Sequence, residues 1–123
     1  MTKKILIVDD EEDISTSLKT LLETMNYEIK TTNNGASALK LLKKENFDLV
    51  LLDILMPGLS GKETLEKIRA DPELKNQKVA FLTVIDIKKY GSETIKQFKL
   101  VDYFKKPIDV TDFKKRIKKI LKP

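Results

Sequence analysis

The chain has 123 residues, 41% hydrophobic and 35% charged, with a net charge of +5 and neither cysteine nor histidine. That length suits one domain spanning residues 1–123, and the missing types exclude disulfide frameworks, zinc-thiolate sites, thiol nucleophiles and any imidazole base. No apolar run approaches the roughly 18 residues that span a bilayer, and Ile5-Leu6-Ile7-Val8 is too short for a secretory core, so a cytoplasmic, membrane-free location is expected.

Taken in order, Ile5-Leu6-Ile7-Val8 reads as a first strand that stops at Asp9-Asp10. A helix starts near Glu12, with Ile14, Leu18, Leu21, Leu22 and Met25 at helical spacing, and Asn26 is its stop. Tyr27 to Thr32 is a second, more polar strand of edge character. Asn33-Asn34-Gly35 is turn chemistry, and Ala38, Leu39, Leu41 and Leu42 mark the next helix. Phe47 to Asp53 is the third strand, with Leu49-Val50-Leu51-Leu52 running into Asp53.

Met56-Pro57-Gly58 then breaks the chain, and Ser60-Gly61 opens a short helix with Leu65 and Ile68 that ends at Asp71-Pro72. Val79 to Thr83 is the fourth strand, followed by a helix presenting Ile87, Tyr90, Ile95 and Phe98. Val101 to Phe104 is the fifth strand, and Val110, Phe113, Ile117, Ile120 and Leu121 mark the last helix. Its lysines, Lys114, Lys115, Lys118, Lys119 and Lys122 with Arg116, read either as a solvated face or as a surface for an acidic partner. No aromatic residue interleaves with them, so direct nucleic-acid binding is not expected.

Near-continuous aliphatic runs are buried on both faces, which implies a parallel sheet. Five alternating strands and helices give an α/β fold: a doubly wound, flavodoxin-like (βα)5 sandwich with strand order 2-1-3-4-5. That order sets strands one and three side by side, so Asp9, Asp10 and Asp53 converge where open α/β sheets bind ligands. Carboxylates so gathered repel one another unless a cation joins them. With oxygen ligands alone the candidates are magnesium, calcium and manganese.

Asp9-Asp10, Asp53, Met56-Pro57-Gly58, Thr83 and Lys106-Pro107, in that order at successive strand ends, resemble the signature of response-regulator receiver domains of two-component signalling. The resemblance covers the whole chain and is to the stand-alone, chemotaxis-like type. It implies that Asp53 is the phosphoacceptor. It also implies that Asp9, Asp10, Asp53 and the backbone carbonyl of Leu55 hold Mg2+, with Mn2+ as a substitute. Lys106 and Thr83 would contact the phosphoryl oxygens, and Thr83 with Tyr103 would form the switch. The Lys106-Pro107 bond would be cis.

Each piece alone has a plainer account. Asp9 and Asp10 fit a helix cap, Thr83 an ordinary strand position, Lys106-Pro107 a strand exit and Tyr103 a fixed residue at the sheet end. Together, the resemblance implies a phosphorylation-dependent signalling switch rather than an enzyme that turns over an external substrate. It would take its phosphoryl group from a sensor histidine kinase or phosphotransfer protein. It would then signal to a downstream protein through the face of helix four, strand five and helix five. Phosphorylation-linked homodimerisation stays open, and the alternative is a receiver module excised from a longer transcription regulator or hybrid histidine kinase. Val84, bulkier than the residue common in the family after the threonine, would narrow access to Asp53. Leu55 and Ile85 are apolar and cannot orient an attacking water, which implies slow self-dephosphorylation.

Overall fold

In the computed structural model, which describes residues 2–84 and 95–122, five parallel strands form one sheet in the order β2-β1-β3-β4-β5. They are β1 (Lys4–Val8), β2 (Glu28–Thr32), β3 (Leu49–Leu52), β4 (Val79–Thr83) and β5 (Asp102–Lys105). Helices α1 (Glu12–Thr24), α2 (Gly35–Lys44) and α3 (Gly61–Ala70) alternate with the first strands, and a C-terminal helix covers Val110–Ile120. Residues 95–97 are helical, and Ile95 and Phe98 pack against the core as expected. Ile85, Ile87 and Tyr90 lie outside the described residues.

Strand side chains alternate between the two faces of the sheet, and the core divides accordingly. Leu6, Val8, Val50, Leu52, Val79, Phe81 and Tyr103 pack with Ala38 and Leu42 of α2 and Leu65 and Ile68 of α3. Ile5, Ile7, Leu49, Leu51, Ala80, Leu82 and Phe104 pack with Leu18 and Leu22 of α1 and Phe113 and Ile117 of the C-terminal helix. Strands β1, β3 and β4 are therefore apolar on both faces. β2 borders one strand only and buries just Ile29, so a polar sequence suffices there.

Local signals end the elements. Asn26 takes a left-handed φ of 68° just after α1, a conformation asparagine tolerates. Ser60 caps α3 through a reciprocal capping box with Glu63. A Cβ on Gly61 would fall 2.0 Å from the Asp53 carbonyl oxygen, so only glycine lets the start of α3 press against the end of β3. At the far end of α3, Arg69 donates to the carbonyls of Phe98, Lys75, Gln77 and Lys99 at 2.7–3.2 Å. That one guanidinium ties α3 to the chain entering β4 and to the chain entering β5.

Candidate functional site

The register of the sheet builds the site. Ile5 pairs with Leu49 and Val8 with Leu52, so the residues that follow, Asp9 and Asp53, leave the sheet level with each other. The Asp53 N–H donates to the Val8 carbonyl at 2.9 Å, and the Asp9 N–H to the Thr32 carbonyl at 3.1 Å. Asp9, Asp10 and Asp53 each offer one carboxylate oxygen, and those oxygens lie within 4.8 Å of one another. Asp9 and Asp53 are buried and Asp10 is exposed, so the cluster has two walls and an open mouth.

Lys106, the residue after β5, closes the site from the other side. Its side chain is only 4% exposed, and its ammonium lies 2.6 Å from Asp9 Oδ2, 2.9 Å from Glu11 Oε1 and 3.3 Å from Asp53 Oδ2. Asp53 Oδ1 accepts from the Leu55 N–H at 3.2 Å. Burial pushes the Asp53 carboxyl up to about 6; Lys106 opposes that, and the Asp9 charge adds to it. For Lys106, burial pulls the ammonium down, but the carboxylates of Asp9, Glu11 and Asp53 outweigh it and hold the group above its usual value.

Among the described residues the site also fits a hard cation. Asp9, Asp10 and Asp53 bring their carboxylate oxygens together, every candidate ligand is oxygen, and Asp9 Oδ2 has only a close charge contact with Lys106 without a well-directed hydrogen bond. An oxygen so placed is poorly satisfied by the protein alone.

Thr83, fully buried, ends β4 beside β3 and pairs across the sheet with Lys105. Tyr103 is buried and meets Phe81 edge-on, with ring centroids 6.4 Å apart. Its ring therefore already points inward. Leu55, two residues beyond Asp53, and Val84, next after Thr83, are both more than half exposed. The Lys106-Pro107 bond is cis. The residue that sequence reasoning missed is Glu11, which reaches Lys106 from 95 positions away along the chain. Its only sequence signal is its place in the acidic run Asp9-Asp10-Glu11-Glu12-Asp13.

A 2-1-3-4-5 sheet with acids and one buried lysine at its carboxyl edge defines a flavodoxin-like α/β domain with an oxygen-only site, the class to which the chemotaxis receivers belong. The chain belongs to the response regulator receiver domain family, whose model matches residues 5–118, and is a receiver domain of two-component signalling. It is 36% identical to the polar-differentiation response regulator DivK of Brucella ovis, over 98% of both chains. It is also 35% identical to the alkaline phosphatase synthesis transcriptional regulatory protein PhoP of Bacillus subtilis, over 99% of this chain. The chain spans about half the length of PhoP. Among solved structures, the response regulator TrrA of Thermotoga maritima in complex with Mg2+-BeF matches with a TM-score of 0.83. That match is 38% identical and covers 98% of this chain and 100% of that one.

Proposed function

We propose that Asp53 accepts a phosphoryl group from a sensor histidine kinase or phosphotransfer protein, and that the acyl phosphate resets a protein-binding face. The observation that carries this reading is the Lys106 ammonium shared between Asp9 and Asp53 at the edge of the sheet. An Asp53 oxygen attacks phosphorus, the bond from phosphorus to the donor nitrogen breaks, and the imidazole leaves with the electron pair. A carboxylate attacks a dianionic phosphoryl group only where local charge is neutralised.

Asp9, Asp10, Asp53 and the Leu55 carbonyl would hold Mg2+, with Mn2+ as a substitute; the ion supplies positive charge and orients phosphoryl oxygens. Support comes from the clustered oxygens and from the Mg2+-BeF complex of TrrA. Lys106 offers N–H donors to the phosphoryl group, and the Thr83 hydroxyl offers one more. The Leu55 N–H already holds Asp53 Oδ1 in place. Beside Lys106, an open groove of about 390 Å³ lined by Ile14, Leu18, Leu21, Pro107, Ile108 and Val110 gives a phosphodonor protein an apolar surface.

Output would pass through Tyr103, whose inward ring packs on Phe81 one pleat below Thr83, to the surface of β5 and the C-terminal helix. There Arg116 pairs with Asp102 and Asp112, leaving Lys115, Lys118, Lys119 and Lys122 exposed. We take the protein to act in the cytoplasm without turning over an external substrate or binding nucleic acid directly. A second reading, the receiver portion of a longer regulator, is favoured by the match to PhoP. Treatment with a small phosphodonor and Mg2+, followed by mass mapping of the modified residue, tests the assignment.

A further inference from the structure

We propose that Glu11 is a positioning residue for phosphoryl transfer, a latch that occupies one face of the Lys106 ammonium until the incoming phosphoryl group displaces it. The proposal rests on the receiver reading above. An ammonium has three N–H donors, and at rest Lys106 faces three carboxylates: Asp9 at 2.6 Å, Glu11 at 2.9 Å and Asp53 at 3.3 Å. Asp53 is the farthest of them. The ammonium donates to Glu11 and Asp53, and Asp9 crowds its remaining side, so a phosphoryl oxygen reaches it only where one carboxylate yields.

Asp9 and Asp53 are buried, and each would be left as an uncompensated charge on losing the ammonium. The Glu11 side chain is 54% exposed, so water re-solvates it when it lets go. Glu11 is also placed for this task. It occupies the N-cap of α1 yet makes no side-chain cap bond, although that position ordinarily uses its side chain to bond the first turn. Its backbone N–H donates instead to Asp9 Oδ1 at 2.9 Å, which anchors the residue while the carboxylate reaches across to Lys106. Glu11 makes and breaks no covalent bond; it changes only which anion the ammonium faces.

The test compares wild type, Glu11→Gln and Glu12→Gln, the last removing the same charge from an exposed neighbour on α1. Phosphorylation by phosphoramidate at saturating Mg2+ is followed by intact mass across donor concentrations. Glu11→Gln raises the maximal rate about 2- to 5-fold, the scale of one half-exposed charge contact, and leaves half-saturation within about twofold. Glu12→Gln matches wild type. In the resting protein without donor, the Lys106 15N ammonium resonance shifts in Glu11→Gln and stays put in Glu12→Gln. A Glu11→Gln rate equal to or below wild type, or an equal rise in Glu12→Gln, overturns the latch while leaving the receiver reading intact. A wild-type protein that takes up no phosphoryl group overturns the receiver reading itself, and the latch with it.

Discussion

Replacing Asp53 with asparagine is expected to stabilise the metal-free protein at neutral pH. The carboxyl is pushed from its usual 3.8 to about 6 in the folded chain, by burial first and by the Asp9 charge as well. The folded state therefore binds more protons than the unfolded chain between those values. Stability contributed at this position falls as pH rises through that window, and the penalty is complete above it. The gap corresponds to about 3 kcal/mol at about 1.36 kcal/mol per pH unit. Asparagine removes the charge but turns an amide N–H₂ toward either Lys106 or the Leu55 N–H, which offsets about 1 kcal/mol. The net gain is about 2 kcal/mol, or about 8 °C in melting temperature for a chain of this size. Urea unfolding in EDTA at pH 7.5 and pH 3.5 measures it. The variant should exceed wild type at pH 7.5, and the advantage should vanish at pH 3.5. An Asp53→Asn protein no more stable than wild type at pH 7.5, or an advantage that persists unchanged in acid, refutes the electrostatic account.

Adding Mg2+ should raise the melting temperature of wild type and shrink that advantage, because an ion bound only to the folded state stabilises it by mass action; equal shifts in wild type and Asp53→Asn count against Asp53 as a ligand. Replacing exposed Leu55 with asparagine should speed loss of the phosphoryl group about tenfold, a change of about 1.4 kcal/mol in the barrier, read by intact mass over time; an unchanged half-life means this position does not control water. Arg69→Ala should cost about 2–3 kcal/mol in urea unfolding, since it removes a partly buried guanidinium from four carbonyls; a loss under 0.5 kcal/mol would show that water replaces those bonds without penalty.

The fold was legible where burial is two-sided. Leu49-Val50-Leu51-Leu52 and Ile5-Leu6-Ile7-Val8 have no polar position because helices cover both faces of their strands, and that is the pattern a buried parallel strand must show. Boundaries were less legible. Asp53 ends outside β3, and β5 runs Asp102–Lys105 rather than starting at Val101, because pairing geometry, not hydrophobicity, sets the last residue. Val110 has the right spacing for the buried stripe of the C-terminal helix but, as its first residue, is 51% exposed. Asp9, Asp10 and Asp53 could be placed together once strand order was known, because register carries them there. Glu11 and Arg69 could not. Glu11 meets a lysine 95 residues away, and Arg69 meets carbonyls from 6 to 30 residues away, and nothing local in the sequence marks a side chain that spans loops.

The central claim is that the buried carboxylate at the end of β3 becomes an acyl phosphate. Intact-mass measurement after incubation with phosphoramidate and Mg2+ tests it directly. One phosphoryl adduct on wild type, mapped to Asp53 and missing from Asp53→Asn, is the expected result. An unmodified wild-type protein, or an adduct that survives Asp53→Asn, contradicts it.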